Sequence, residues 1–218
     1  MNVDLHTHTH PASGCSHIAI PDYVAHCVEI GIEAIAVTNH GDVSDNRRLE
    51  EALAAKGIVV VHGVEISTLF GDFVIFAPDL DYLATFKDVQ DVPSPGSISA
   101  DAAVVWVHPA AGGGRSASAY YPSLEQLVAP VVDAVELFNG NWLGEHYVET
   151  ARRIAAAIDK PCTGGSDAHF AERIMACYTE FPGDVRSTAD VVTAIKNRTV
   201  TPHARTQPRK PHRRLFGR

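Results

Sequence analysis

Val3-Asp4-Leu5-His6-Thr7-His8 opens the chain, and Gly165-Ser166-Asp167-Ala168-His169 stands near its far end. In a β-strand successive side chains face opposite sides, so His6 and His8 point one way while Leu5 and Thr7 point the other. Asp167 and His169 repeat that spacing. Two such pairs at opposite ends of one domain-sized chain predict a closed barrel whose first and last strands are neighbours. Imidazole and carboxylate together suit zinc, iron or manganese, and a cluster of such ions points to hydrolysis.

His-x-His alone is a weak signal, because a chain with twelve histidines is expected to hold about one by chance. Its surroundings strengthen it. His40 follows the apolar run Ala34-Ile35-Ala36-Val37, Glu65 follows Ile58-Val59-Val60-Val61, and His108 follows Val104-Val105-Trp106-Val107. Each candidate ligand therefore sits at or just past the C-terminal end of a β-like run, the rim on which α/β barrels build their sites.

Bulk properties agree with one soluble domain of barrel size. A chain of 218 residues can bury roughly 70% of its unfolded surface. No run reaches the roughly 18 apolar residues of a membrane helix, and Met1 leads directly into the first strand, which predicts no signal peptide. Cys15, Cys27, Cys162 and Cys177 show no CxxC spacing, which predicts reduced thiols and a cytoplasmic location. The formal charge of −8 is unevenly spread. Residues 203–218 carry six Lys or Arg and no acid, so the rest, with 12 basic and 26 acidic side chains, stands at −14. Ions bound at a barrel rim would offset part of that charge.

Strand-like and helix-like segments alternate along the chain, which favours parallel strands. Pro21 in a first turn and Gly31 as terminator bracket one helix. Ser44 is expected to cap a second helix that ends at Lys56-Gly57. A third spans about residues 144–159, and a last one follows Ser187, with Asp190 completing a capping box. Residues 88–99 and 110–121 read as loops, the second holding Gly112-Gly113-Gly114-Arg115.

His6-Thr7-His8, Thr38-Asn39-His40, Gly63-Val64-Glu65-Ile66-Ser67, His108-Pro109, Glu136-Leu137-Phe138-Asn139 and Gly165-Ser166-Asp167-Ala168-His169 resemble the motifs of the PHP (polymerase and histidinol phosphatase) domain. The resemblance preserves motif order over nearly all of residues 1–200, and it is nearest to the small stand-alone predicted phosphoesterases. It implies an α/β fold, a distorted (βα)7 TIM-like barrel with the metal site at the C-terminal rim of its strands, over residues 1–202. Residues 203–218 form a basic C-terminal tail.

The same resemblance implies the ligand set. His6, His8, Glu65 and Asp167 match positions for a first ion, Glu65 bridges to a second completed by His108, and His40 and His169 match a pair that holds a third. Two divalent ions, zinc, manganese or iron, are expected. The third is conditional, because the family has Asp where Asn39 stands and Asn lacks the charge that orients and polarises an imidazole. Asp72-Phe73-Val74-Ile75-Phe76 also lacks a histidine found in some members. Cys15, Ser16 and His17 are alternatives for a further ligand after the first motif. His10, His26, His62 and His146 read as surface or structural residues. Glu136 and Asn139 read as substrate-binding groups or as groups standing behind the ligands, and Arg115 as a bidentate grip on a phosphate.

The function implied is metal-dependent hydrolysis of a phosphate ester, as phosphatase or phosphodiesterase, by a metal-activated hydroxide. Asp167, His169 and a metal-bound water are the candidates to protonate the leaving group. A small phosphorylated molecule is the expected substrate. The basic tail supports an alternative, an exonuclease or phosphodiesterase acting on nucleic acid. Two further rivals are an amidohydrolase-type barrel, which usually adds a strand-end lysine, and a non-catalytic module that binds nucleic acid or protein.

Overall fold

The fold follows from the alternation of apolar side chains along its strands, described in a computed structural model for residues 1–111 and 124–205. In β2 (Ala34–Val37) the small residues Ala34 and Ala36 join an inner core, while Ile35 and Val37 face helices α1 (Ile20–Glu29) and α2 (Ser44–Ala54). In β5 (Ala103–Val107) Val105 and Val107 face that inner core, and Val104 and Trp106 pack outside it. Both faces are buried, as in a sheet covered by helices.

Six strands form one sheet in the order β2, β3 (Val59–Thr68), β4 (Gly71–Phe76), β5, β6 (Ala134–Asn139) and β7 (Cys162–Gly165). The sheet curls into a half-barrel. Between its two edges runs the N-terminal segment: Asp4 bridges to Ile35 beside β2, and Thr7 bridges to Ala168 just beyond β7. The first and last ligand motifs are thus neighbours, with Asp167 N donating to His6 O at 2.7 Å. A smaller antiparallel sheet joins β1 (Asn2–Val3), β8 (Cys177–Glu180) and β9 (Thr201–Ala204). Three further helices, α3 (Leu80–Ala84), α4 (Leu124–Val128) and α5 (Glu145–Ala157), flank the large sheet. A fourth, α6 (Thr188–Lys196), puts Val191, Val192 and Ile195 into the inner core. No helix among the described residues is long and apolar enough to cross a membrane.

The alternation of elements favoured parallel strands, and β2–β3, β5–β6 and β6–β7 are parallel, with one exception. β4 runs antiparallel to both β3 and β5. β3 and β4 form a hairpin whose last pair is Thr68 and Gly71, with Gly71 at φ 111° and Thr68 Oγ1 accepting from Phe70 N at 3.0 Å. Ser44 is the first helical residue of α2 rather than its cap, and Asp42 accepts from its N–H at 2.7 Å. At α6 Ser187 does cap the helix by accepting from Asp190 N. A boundary after residue 202 would cut β9, whose pairing to β8 runs through Ala204 and is followed by Arg205 N donating to Ala176 O at 2.9 Å. Arg115 and tail residues 206–218 lie outside the described residues.

Asp4 ties these pieces together. It is fully buried, and its carboxylate accepts from the backbone N–H groups of His6 (3.2 Å), Ser166 (2.8 Å) and Met175 (2.7 Å). Burial pushes its carboxyl up to about 6, against the pull of those hydrogen bonds. Asp4→Ala strands three buried donors at about 1 kcal/mol or more each. We expect it to lower the melting temperature of the metal-stripped protein by about 6 °C or more, while Asp22→Ala, exposed on α1, shifts it by less than about 2 °C. Equal shifts in thermal unfolding would show that Asp4 does not close the barrel.

Candidate metal centre

The strand ends gather His6, His8, Glu65, His108 and Asp167 into one buried cluster, with His40 and His169 at its edge. Glu65 lies at its middle. One of its oxygens, Oε2, is 3.3 Å from His6 Nε2, 3.3 Å from His8 Nε2 and 3.0 Å from His40 Nδ1. The other, Oε1, is 3.2 Å from His108 Nε2. The two oxygens thus address different histidines, the disposition of a bridging carboxylate. Asp167 Oδ1 adds contacts of 3.2 Å to His8 Nε2 and 3.7 Å to His6 Nε2.

Partners behind the ligands decide which nitrogen each imidazole presents. His6 Nδ1 faces Glu136 Oε1 at 3.0 Å, leaving Nε2 for the cluster. His8 Nδ1 meets Ser13 Oγ at 3.2 Å, and that hydroxyl donates to Asn39 Oδ1 at 2.9 Å, so Nδ1 is the donor and Nε2 again points inward. His169 Nδ1 meets the Asp167 carbonyl at 2.9 Å; a carbonyl only accepts, so Nδ1 carries the proton. Asn39 therefore acts on His8 through Ser13, whereas the sequence suggested that it would orient His40. Its Nδ2 donates to Thr9 Oγ1 and its Oδ1 accepts from Thr9 N.

Glu136 and Asn139, for which the sequence left open the substrate side or a place behind the ligands, stand behind the cluster. Glu136 Oε2 accepts from His108 N at 2.9 Å and from Asn139 Nδ2 at 2.8 Å, so both carboxylate oxygens are engaged by protein groups. Asn139 Nδ2 also reaches Asp167 Oδ2 at 3.4 Å. Asp72 is a member the sequence did not reveal. Buried on β4, it brings Oδ2 to 3.8 Å from His108 Nδ1. Only the antiparallel register, which pairs Asp72 with Val107, puts it there. His62 packs outside the cluster, 3.6 Å from Glu50, and His26 pairs with Glu29 on α1.

The backbone is strained where the site needs it. His108 and Asp167 adopt φ of 31° and 52°, a conformation that costs a non-glycine residue about 1–3 kcal/mol. Gly165 is required by closeness: a Cβ there would overlap the His6 Cβ and come within 2.8 Å of Glu136 Oε1.

Proton affinities follow from this crowding. Burial holds His8 down to about 4, a neutral imidazole. Burial also works against charging His6 and His108, but the surrounding carboxylates prevail: His6 is raised well above the usual range, and His108, bonded to Glu65, to about 9. Glu65 and Asp167 are pulled down by those histidines despite their burial.

A cation fits this arrangement on the structure's own terms. His6 Nε2, His8 Nε2, Glu65 Oε2 and His108 Nδ1 are all buried without a hydrogen-bond partner, which is costly in a dry interior. Three overlapping groups each bring their ligand atoms within 4.8 Å of one another: His6, Glu65 and His108; His6, His8 and Asp167; His8, His40 and His169. Nitrogen and oxygen donors of this kind suit divalent transition metals.

Comparison with known proteins agrees. The sequence matches the PHP domain model over residues 4–111 and the PHP-associated model over residues 145–200. No functionally curated protein matches. Among solved structures, PsfC from Pseudomonas syringae PB-5123 superposes with a TM-score of 0.71 at 19% identity, over 94% of this chain and 92% of that one. A candidate metal-dependent phosphoesterase from Bifidobacterium adolescentis does so with 0.61 at 15% identity, over 91% and 96%. An amidohydrolase from Chromobacterium violaceum, holding sulfate and no metal, does so with 0.63 at 15% identity, over 92% and 98%. At these identities the likeness is one of fold. Together with both sequence models, matched in order along one barrel, it identifies the chain as a member of the PHP family.

Proposed function

We propose that this protein hydrolyses the phosphate ester of a small molecule at a centre of two or more divalent transition-metal ions. The observation that carries the proposal is Glu65, whose two buried oxygens face separate histidine sets. Bound ions would supply Lewis acidity, charge for the phosphoryl oxygens and acidification of a water. His6, His8, Glu65 and Asp167 would hold one ion, Glu65 and His108 a second, and His40 and His169 would serve the exposed side. Asp167 is a ligand in this reading rather than a proton donor, since its neighbours keep it ionised. His169 has only Nε2 to offer, because Nδ1 is committed to the Asp167 carbonyl. The sulfate held by the Chromobacterium relative, a tetrahedral oxyanion, is compatible with a phosphate-shaped substrate. The four lysines among the described residues, Lys56, Lys87, Lys160 and Lys196, follow helices, precede β7 or end α6. That disfavours amidohydrolase chemistry relying on a strand-end lysine.

Zinc, manganese and ferrous ions added to metal-stripped protein should each be assayed against a panel of phosphomonoesters and phosphodiesters. We expect turnover of at least one ester. Glu65→Gln, which keeps the shape and loses the charge, should lower kcat/KM about 100-fold or more, and His26→Gln should stay within about threefold. Metal-replete protein inactive on every ester would overturn the proposal.

Glu136 positions rather than coordinates, through His6 Nδ1 and the His108 backbone. Glu136→Gln should therefore weaken zinc binding by about 10–100-fold while the far-ultraviolet dichroism of the fold is retained. Calorimetric titration of the stripped variant checks this, and wild-type affinity would show that the His6 tautomer does not depend on Glu136.

A further inference from the structure

We propose that a cavity on the outer face of β3, walled by α2 and the start of α3, binds a linear aliphatic polyamine. This cavity lies on the opposite face of the strand that carries Glu65, so it is separate from the metal centre and neither site depends on the other.

Strand alternation sets the location. Along β3, Val61 joins the inner core, while Val60 and Val64 pack in clusters outside it. Glu65 therefore faces inward, and His62, three residues earlier, faces outward. His62 N donates to Thr188 Oγ1 at 2.9 Å, which fixes this stretch beside the start of α6. The imidazole borders a cavity of about 630 Å³, of the size that small molecules occupy. Its walls include Arg47, Glu50 and Glu51 of α2, with Asp79 and Asp81 at the start of α3. Four carboxylates thus share the lining with one guanidinium. Among the described residues, Glu51, Asp79 and Asp81 have no ion-pair partner within 4.0 Å. Asp79 is engaged in capping α3, where its Oδ1 accepts from Asp81 N and Tyr82 N at 2.9 and 3.2 Å. Glu50, Glu51 and Asp81 remain as acceptors.

His62 is the second, independent sign of a ligand. Its side chain is only 9% exposed, yet neither ring nitrogen makes a hydrogen bond within the protein. Nδ1 is buried without a partner, and Nε2 approaches Glu50 Oε2 at 3.6 Å, longer than a hydrogen bond. An imidazole enclosed in this way is costly unless the cavity beside it supplies a partner. Burial, with Arg47 adding to it, also holds His62 below its usual range against the pull of Glu50. The ring is therefore neutral and leaves the acidic wall uncompensated. An ammonium group, with three donors, can serve Nε2 and the Glu50 carboxylate together. A single metal ion fits less well, because the acidic groups here do not converge: the ligand atoms that lie within 4.8 Å of one another in threes belong to the barrel rim. Ala54, Pro78 and Leu80 complete the lining. Separate carboxylates on a partly apolar wall are the complement of ammonium groups joined by methylene chains.

Full-length protein is titrated with spermidine by calorimetry at about 0.15 M salt, where loose attraction to an acidic surface is screened. Saturable binding at one site is expected. Glu50→Gln combined with Asp81→Asn should weaken it about tenfold or more. Asp22→Asn combined with Glu29→Gln removes the same charge from exposed positions of α1 and should leave affinity within about twofold. His62 gives a direct readout: its ring resonances, assigned by their disappearance in His62→Gln, should shift as spermidine is added. Binding that does not saturate, equal weakening by both double variants, or His62 resonances that stay in place overturns the proposal. A trilysine peptide that saturates the site where spermidine does not would assign the cavity to a protein segment and overturn it equally.

Discussion

Everything at the rim depends on burying Glu65 among histidines. A carboxylate taken out of water is tolerated only when cations or donors surround it, and Glu65 has four imidazoles within 3.3 Å. Those imidazoles come from β1's continuation, from the ends of β2 and β5, and none from β3 itself. The barrel must therefore close accurately for the charge to be compensated. Asp4 supplies part of that accuracy by binding backbone N–H groups on both sides of the seam. Gly165 supplies another part by letting β7 approach His6 without a side chain between them. The strained φ values at His108 and Asp167 are held by hydrogen bonds from their own N–H groups, to Glu136 and to the His6 carbonyl.

The residues of the cluster were legible in the sequence because they are written in local spacing. His6 and His8, like Asp167 and His169, sit two apart at strand ends, and the apolar runs before His40, Glu65 and His108 mark the rim directly. What was hidden depends on register between distant strands. Period-two alternation is the same in parallel and antiparallel strands, so the reversal of β4 left no trace beyond the turn at Thr68 and Gly71. Asp72 was missed for that reason, since it reaches His108 only through antiparallel pairing. Glu136 and Asn139 were found, but with their side of the cluster left open, because spacing says which residues share a rim and not which atom faces inward. The chain from Asn39 through Ser13 to His8 was equally invisible, since it joins residues 26 and 5 apart in sequence.

Burial divides the centre into two unlike halves. His6, Glu65, His108, Asp72 and Asp167 are almost wholly enclosed, with rings and carboxylates fixed by partners on their far sides. His40 has 38% of its side chain exposed and His169 has 23%, and exposed Cys15 lies against His169. Enclosure strengthens electrostatic attraction and removes competing water, so the inner half is built to retain an ion. The outer half shares its ligand space with solvent. A molecule entering the inner half from solvent has to pass this outer edge. The identity of the side chains there, a thiol and two histidines in place of further carboxylates, therefore affects both what can bind at the edge and what can pass it.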